Sequence, residues 1–465
     1  MLPDDILIEI FDFYVDEGFK RKEIQEWMTL VHVCRRWRII VFQSPRRLNL
    51  RLIYMPSTPP KVTLDIWPPL PLIICDFTRI YKEDVDHTIA ALEHNDRVCQ
   101  IHLISYSSSR ISYVAESAAM QKPFPELTHL ELDTADHWHD KPTLRDSFLG
   151  GTAPRLQSLK LTNISFLGLP KLLLSATHLV KLDLSYHSLP GSGDIITPEA
   201  MATSISTLTS LEYLRINFIY SPSIPESRRR PLLTRSILPF LTTMVFKKAS
   251  GYLDEILALI DAPQLNKMFI TLDDQSIFDT PHLFQFINRI PTLRAPEIGH
   301  IIFESGITVV KFPSQTSVLG ELCVEISSFE SELPQLSFIE QLCTSSLPPV
   351  STLEDLYILE DSYVGLQDIL DNVENMLWLQ VLRPFTAVKN LYLCDEFVPR
   401  IALALEELVG ARTTEVLPTL ENIFLEGLQP SGPLHEGIEM FVAARRLIHH
   451  PVAVSRWDID LEWER

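Results

Sequence analysis

The sequence predicts an α/β fold in which a short N-terminal helical hairpin precedes an irregular solenoid of parallel strands. The template apolar-x-x-apolar-x-apolar recurs twelve times between Val98 and Leu425, with copies starting 21 to 35 residues apart. Stretches of helical or irregular character separate the copies, and the first fifty residues carry apolar side chains at helical spacing instead. A single copy cannot bury its apolar face, whereas copies stacked side by side can.

The composition narrows the possible functions. The chain has 465 residues, of which 46% are hydrophobic, so it can form a sizeable core and disorder is not its dominant state. Sixty acidic against forty basic side chains give a net charge of −20. This charge disfavours binding to a phosphate backbone, and we expect no nucleic-acid partner.

The cysteines and the hydropathy pattern indicate the compartment. The six cysteines form no Cys-x-x-Cys pair, so neither a zinc site nor a disulfide framework is expected. The sequence starts with MLPDD, without a basic segment that leads into an apolar run. It contains no run of about eighteen consecutive apolar residues. We therefore expect a cytoplasmic or nuclear protein without a membrane partner.

The first helix is predicted in "LPDDILIEIFDFY". Pro3 suits a first helical turn, and Asp4 and Asp5 stand where the helix dipole favours negative charge. One apolar face of this helix follows the three-to-four spacing, and it consists of Ile6, Leu7, Ile10, Phe11 and Tyr14.

A second helix is predicted up to Ser44 and Pro45. Its apolar face consists of Trp27, Leu30, Cys34, Trp37 and Val41. Two helices of this size cannot shelter all their apolar surface by themselves. The hairpin is therefore expected to pack against something else, either another protein or the first repeat.

Each repeat is predicted to be one short strand, because its last two apolar positions alternate with polar ones. Helical character at 252–260 and 401–410 indicates crossover connections, hence parallel strands. The array resembles the leucine-rich repeat solenoid, in which strands line a concave surface. It is irregular, because Ala135 and Ile164 stand where that family has Asn or Cys.

Four segments follow from this pattern. Residues 1–50 form the helices, 51–94 a connector and N-terminal cap, 95–430 the solenoid, and 431–465 a C-terminal cap. The cap is suggested by the amphipathic spacing of Leu434, Ile438 and Phe441.

The N-terminal segment resembles an F-box over residues 2 to 50. The features that carry the resemblance are Leu2-Pro3, the apolar face of the first helix, and the segments "VCRRW" and "SPRRLNLRL". The resemblance implies that the hairpin docks on a Skp-type adaptor of a cullin-RING ubiquitin ligase, while the repeats bind a protein substrate. The residues that it places against the adaptor are Leu2, Pro3, Ile6, Leu7, Ile10, Phe11, Val33 and Trp37. The alternative is a leucine-rich-repeat scaffold without a link to ubiquitination, whose hairpin only caps the first repeat.

Substrate-binding residues are predicted at the strand position that points away from the core. In chain order this position holds His102, Glu131, Lys160, Asp183, Arg215, Val245, Phe269, Ile302, Cys323, Tyr357, Tyr392 and Phe424. The first five are charged or titratable and the last seven are apolar or aromatic. We expect a recognition patch in the C-terminal half, formed by Phe269, Ile302, Tyr357, Tyr392 and Phe424. The alternative is that a loop or the tail covers these residues.

No motif for catalysis, metal binding or a cofactor stands out. The sequence lacks G-x-S-x-G, G-x-G-x-x-G and Walker motifs. "HWHD" at 137–140 could bring two histidines and an aspartate near a metal, but unliganded histidines in a surface loop are the simpler interpretation. We expect a non-catalytic protein without cofactor or metal.

Overall fold

A computed structural model describes most of the chain. The chain divides into two compact units, Met1–Tyr213 (unit 1) and Leu214–Arg465 (unit 2). The described residues are 2–15, 26–45, 47–57, 59–77, 83–135, 142–186, 196–218, 235–247, 250–273, 281–293, 296–304, 307–313, 320–327, 334–345, 348–360, 375–408, 410–427 and 434–457. Within these ranges, no helix combines the length and the apolar character that crossing a membrane requires.

Unit 1 begins with three helices, α1 (Asp4–Val15), α2 (Glu26–Val33) and α3 (Arg35–Gln43). The sequence predicted one helix where α2 and α3 lie. The break falls at Cys34, whose backbone is extended and whose Sγ accepts a hydrogen bond from the N–H of Trp37 at 3.5 Å. Cys34 thereby acts as the N-cap of α3.

The sheet of unit 1 consists of parallel strands that lie side by side in chain order. They are β1 (Leu52–Tyr54), β2 (Leu72–Asp76), β3 (Val98–Ser105), β4 (His129–Thr134), β5 (Ser158–Thr162) and β6 (Lys181–Tyr186), while β7 (Tyr213–Phe218) crosses the boundary between the units. The helices between them are α4 (Pro60–Leu64), α5 (Glu83–Leu92), α6 (Ser108–Glu116), α7 (Leu169–Ser175) and α8 (Pro198–Ile205). The segment assigned to a connector thus contains β1 and β2.

The alternation of each strand explains its burial. In β4, Leu130 and Leu132 are buried toward the helices, while His129, Glu131 and Asp133 are partly exposed on the opposite side. We call this opposite side the open face of the sheet.

Among the described residues, the first apolar residue anchors a turn in seven of the twelve repeats. Its backbone N–H donates to the carbonyl of a buried apolar residue three positions earlier. This bond joins Leu127 to Phe124, Leu156 to Ala153, Leu179 to Ala176, Leu211 to Leu208, Leu241 to Leu238, Leu265 to Ala262 and Leu420 to Leu417. Leu293, five residues before the copy that starts at Ile298, forms the same bond with Ile290. These seven repeats are therefore longer than the predicted template, by one apolar position at their start.

Unit 2 is also α/β. Its strands are β8 (Ser236–Ile237), β9 (Thr243–Lys247), β10 (Ile260–Asp261), β11 (Lys267–Asp273), β12 (Ile298–Glu304), β13 (Ile307–Phe312), β14 (Glu321–Ser327), β15 (Asp355–Glu360), β16 (Asn390–Leu393), β17 (Asn422–Glu426) and β18 (Ala453–Trp457). Its helices are α9 (Ser250–Leu259), α10 (Pro281–Arg289), α11 (Pro334–Ser345), α12 (Asn375–Leu382), α13 (Val398–Glu406) and α14 (Glu436–Leu447). β8 and β10 form a separate parallel pair.

The main sheet of unit 2 has the strand order β9-β11-β14-β13-β12-β15-β16-β17-β18. The chain order is therefore inverted for β12 to β14, and β13 is antiparallel to both of its neighbours. The remaining pairs in this sheet are parallel. At the C-terminal end, the predicted amphipathic helix is α14, and β18 follows it and extends the sheet.

All twelve copies of the template coincide with strands, namely β3 to β7, β9, β11, β12 and β14 to β17. The expectation of an α/β fold with mostly parallel strands is confirmed.

Candidate functional site

The first candidate surface is an apolar stripe on α1. Four of its side chains follow the helical spacing, and Leu2 continues it toward the N-terminus. We call this set the apolar stripe, and its members and exposed fractions are Leu2 52%, Ile6 47%, Ile10 48%, Phe13 79% and Tyr14 44%. Val33, at the end of α2, is also exposed.

The other side of the three helices is covered by unit 1 itself. Trp67, from the segment after α4, has its ring centroid 5.4 Å from that of Trp27 and 6.3 Å from that of Phe42. The indole N–H of Trp27 donates to the carbonyl of Arg51 at 3.0 Å. The helices are thus attached to the start of the sheet through α2 and α3, and this attachment does not cover the apolar stripe.

The residues predicted to face an adaptor occupy different environments. Leu2, Pro3, Ile6, Ile10 and Val33 are exposed. Leu7 and Phe11 are buried, and Phe11 lies 4.7 Å from the ring of the half-buried Trp37. Leu7 and Phe11 therefore hold the helices together, and the accessible surface shifts to Phe13 and Tyr14, which lie one turn further along α1.

The open face of unit 1 carries a network of paired charges. The Glu131 carboxylate lies 3.0 Å from His102 Nδ1 and 2.8 Å from Lys160 Nζ, which also reaches Asp133 at 3.2 Å. The hydrogen bond from His102 and the ammonium of Lys160 outweigh desolvation and lower the pKa of Glu131 to about 2. Because these charges already satisfy one another, this face offers little unsatisfied charge to a partner.

The open face of unit 2 carries three stacked aromatic rings. Tyr357, Tyr392 and Phe424 occupy one register position on β15, β16 and β17. The two tyrosine rings stack at 4.1 Å with an interplanar angle of 6°, and Tyr392 stacks on Phe424 at 4.5 Å and 8°. We call these residues the aromatic ladder.

Two residues that the sequence interpretation missed contact the ladder. Trp457 of β18 approaches edgewise, 5.7 Å from the ring of Tyr357 and 5.5 Å from that of Tyr392. On the other side, the buried His300 of β12 lies 4.9 Å from the ring of Tyr357. Desolvation by burial, with the neighbouring Lys311, lowers the pKa of His300 to about 4, so this imidazole is neutral at neutral pH.

The other two predicted patch residues lie outside the ladder. Phe269 is on β11, in register with Cys323 of β14, and the three strands β14, β13 and β12 separate it from β15. Ile302 pairs with Leu359, two residues beyond Tyr357, whose own partner on β12 is His300. The structure therefore brings Tyr357, Tyr392 and Phe424 together, and it places Phe269 and Ile302 elsewhere on the same face.

A row of hydrogen-bonded side chains runs beside the ladder, two residues earlier on each strand. The Asn390 amide donates to the Asp355 carboxylate at 2.7 Å, and the Asn422 amide donates to Asn390 Oδ1 at 2.8 Å. These bonds hold the three strands in register next to the rings.

Acidic groups gather at the opposite end of the ladder strands. Ligand atoms of Cys394, Glu396 and Glu426 all lie within 4.8 Å of one another. Burial, with the nearby Glu396, raises the pKa of the Cys394 thiol to about 12, and burial with Glu396 also raises the pKa of Asp395. Acidic groups that are exposed often gather without a metal, and we assign no metal to this group. The predicted "HWHD" group lies outside the described residues.

Comparisons with known proteins do not assign the chain to a family. No protein-family model matches it, and no curated protein matches it. Among solved structures, it is similar to the leucine-rich repeat-containing protein LegL7 from Legionella pneumophila, at 14% identity and a TM-score of 0.26, over 85% of this chain and 97% of that one. At this TM-score the likeness supports no conclusion about function, which has to be argued from the surfaces of the chain itself.

Proposed function

We propose that the chain is the substrate-recognition subunit of a Skp-cullin-F-box ubiquitin ligase. In this proposal the N-terminal helices dock on a Skp-type adaptor, and the open face of the repeats binds a protein substrate. The chain itself contributes no catalysis and needs no cofactor, and its place of action is the cytoplasm or the nucleus.

The observation that supports the proposal is the exposure of the apolar stripe although the same helices are anchored elsewhere. If the three helices only capped unit 1, the apolar stripe would pack against the rest of the unit. Trp27 and Phe42 do pack in this way, against Trp67, whereas the stripe does not. Full burial of one large apolar side chain contributes about 1.5–3 kcal/mol. Covering five such side chains would yield several kcal/mol of binding free energy after ordering costs.

Capture of a purified Skp-type adaptor by the full chain tests the proposal. We expect Ile6→Asp to abolish capture, because it places a charge in the middle of the apolar stripe. Ile66→Asp is the matched control: Ile66 is also exposed, at 71%, but lies outside the three helices. Circular dichroism of both variants checks that the fold is kept. Failure of the wild-type chain to capture any adaptor offered would refute the proposal.

A second candidate is a repeat scaffold that binds protein partners without a link to ubiquitination. The packing of Trp27 against Trp67 favours it, because this contact makes the three helices an integral end of unit 1. Under this candidate, neither the wild-type chain nor the Ile66→Asp variant captures an adaptor, and the hairpin only caps the first repeat.

A further inference from the structure

The C-terminal end of unit 2 consists of the edge strand β18 and the helix α14. β18 is hydrogen-bonded to β17 on one side, and within the described residues no strand pairs with its other edge. All side chains of β18 are exposed or half-buried. An edge strand of this kind presents unpaired backbone N–H and C=O groups, which can pair with a further strand.

The hydrogen bonds to β17 determine which backbone groups point to the free edge of β18. The N–H of Ala453 donates to the carbonyl of Glu421 at 2.8 Å. In a parallel ladder, alternate residues bond to the same neighbouring strand, so Ser455 also turns its backbone groups toward β17. The N–H and C=O groups of Val454 and Arg456 therefore point to the free edge.

A second copy of β18 can pair with this edge in an antiparallel arrangement centred on Ser455. The two-fold axis then places Val454 of each copy opposite the partner's Arg456. Both residues have the outward backbone groups that a hydrogen-bonded antiparallel pair requires, so each of the two symmetric pairs exchanges both of its hydrogen bonds. The arginines of the two copies do not face one another, which keeps like charges apart.

The helix α14 continues this end of the unit in the helical layer. Gly437 lies so close to the backbone of Ala402 in α13 that a side chain there would clash, so this side of α14 faces α13. Roughly half a helical turn away lie Glu439, Val442 and Arg446, on the side that is turned away from α13. Val442 is half-buried, and Glu439 and Arg446 are exposed.

The two charged residues on this side of α14 are complementary to those of a second copy. A two-fold axis perpendicular to the sheet keeps both copies of α14 in one layer and makes them antiparallel. Because Glu439 and Arg446 lie on either side of Val442 along the helix, the axis brings Glu439 of each copy opposite the partner's Arg446. Val442 and Ser455 both lie near the middle of their elements, so one axis can serve the helix and the strand.

We infer that this end face, formed by β18 and α14, joins two copies of the chain into a symmetric dimer in which the two sheets of unit 2 meet edge to edge. The inference goes beyond the proposed function, because it does not involve the apolar stripe. Such a dimer presents two aromatic ladders to one partner, which strengthens binding when the partner carries two copies of the recognised segment.

The size of the end face sets the expected strength of the pairing. One helical layer and one sheet layer, with the length of the twelve-residue helix α14, give a face of roughly 18 Å by 20 Å. This is at the small end of protein interfaces, and we expect a dissociation constant on the order of 1–10 µM. Stability measured on a chain diluted below this concentration is that of the monomer.

Sedimentation velocity of the full chain over a range of concentrations tests this inference. We expect monomer below about 0.1 µM and mostly dimer at about 100 µM. Val454→Pro should lower the affinity at least about tenfold, because it removes a backbone donor from the free edge and none from the bonds to β17. The matched variant Val454→Ala keeps this donor and should lower the affinity less than about twofold.

The charges of α14 provide a test of the two-fold arrangement. Glu439→Lys and Arg446→Glu each place like charges opposite one another, and each should lower the affinity about tenfold. Both substitutions in one chain restore opposite charges and should restore the dimer. An equimolar mixture of the two single variants should form a mixed dimer, since the opposed charges are then again of opposite sign. Circular dichroism checks that every variant keeps the fold.

Two results would overturn the inference. The first is a chain that stays monomeric at about 100 µM, the outcome expected if residues 458–465 or a segment of another protein covered the edge. The second is a dimer whose affinity is the same in the wild type, in Val454→Pro and in both single charge variants, because the copies would then meet through another surface.

Discussion

The indole ring of Trp457 lies 5.5 Å from the ring of Tyr392, at an angle of 70°. Because β18 is the last strand in the sheet of unit 2, the segment after α14 both extends the sheet and covers part of the aromatic ladder. The tail therefore covers part of this patch, as one of the two interpretations expected, and the role of the patch as a recognition surface stays a prediction. The ladder is partly exposed, and the tail contributes one aromatic wall to it.

Replacing Trp457 by Ala should loosen β18. Its ring contacts Tyr357 and Tyr392, whereas Ala453, Ser455 and Arg456 on the same strand are exposed. Edge-to-face aromatic pairs contribute about 0.5–1.5 kcal/mol each. We expect the backbone amides of β18 to exchange with solvent about tenfold faster in Trp457→Ala, as measured by hydrogen-exchange mass spectrometry.

The matched control is Ser455→Ala on the same strand, which should leave exchange unchanged. Exchange in β3 to β6 of unit 1 should be the same in both variants and in the wild type. If Trp457→Ala left β18 as protected as before, the ring contacts would not be what holds this strand.

The sequence was sufficient to locate the twelve template strands. Each has two buried alternate residues, such as Leu130 and Leu132, and alternation toward a core is a local property of the chain. It also predicted α1 and α14 from helical spacing. β1 and β2 were missed because all their side chains are buried, which leaves no alternation of apolar and polar residues in the sequence.

The inverted order of β12 to β14 could not be predicted from the template, because the pattern within a strand does not specify which other strands pair with it. The structure shows the reason at Leu293, which forms the usual turn with Ile290. The carbonyl of Thr292 then accepts a hydrogen bond from Gly320, so β14 fills the place beside β11 that the residues after this turn would otherwise take. The altered register of β12 is also why His300, and not Ile302, pairs with Tyr357.

The candidate surfaces were predicted in part. Helical spacing marks Leu7 and Phe11 as apolar just as it marks Ile6 and Ile10, and only the packing of α2 and α3 decides which pair is buried. The proximity of Tyr357 and Tyr392 follows from their equivalent positions in consecutive repeats, whereas the stacking of their rings was not predicted. The contribution of Trp457 did not, because no template copy covers the tail.

Replacing Trp67 by Ala should detach the N-terminal helices from the start of the sheet. This ring lies against Trp27, Phe42 and His32, so its loss removes three aromatic contacts. We expect a loss of about 2 kcal/mol in the local stability of α1 to α3. Limited proteolysis should show faster cleavage within this segment, while the neighbouring substitution Ile66→Ala, at an exposed position, should not change the rate. Equal rates in the two variants would contradict this role of Trp67.

Arg445 should be the most sensitive position of α14. It is fully buried, and its guanidinium donates to the carbonyls of Leu417 at 3.0 Å and Leu420 at 3.2 Å, in the turn that precedes β17. Leu417 has a positive φ of 47°, which is unfavourable for a leucine, so the turn needs this support. Hydrogen bonds from a charged donor contribute about 1.5–3 kcal/mol each.

We therefore expect Arg445→Met to lower the free energy of unfolding of unit 2 by about 3 kcal/mol or more, because buried carbonyls lose their donor. Urea unfolding followed by circular dichroism measures it. Arg446→Met, at the exposed next position of the same helix, should change stability by less than about 0.5 kcal/mol. Similar losses in both variants would show that Arg445 supports the turn no more than a surface arginine does.

Glu131 should make unit 1 less stable in acid. Its folded pKa of about 2 lies below the ordinary value of 4.5, because His102 and Lys160 hydrogen-bond the carboxylate. A lowered folded pKa contributes stability that is fully present above pH 4.5 and is lost as the pH falls toward 2, and linkage sets this contribution at about 3 kcal/mol. Glu131→Gln should remove it, so the variant should be less stable than the wild type at pH 6 and nearly equal to it at pH 2. Urea unfolding at several pH values measures the difference.

The matched control is Glu93→Gln, which affects the exposed pair with Lys122 and should leave the pH profile of stability unchanged. If the profile of Glu131→Gln were parallel to that of the wild type, the network on this face would not stabilise unit 1.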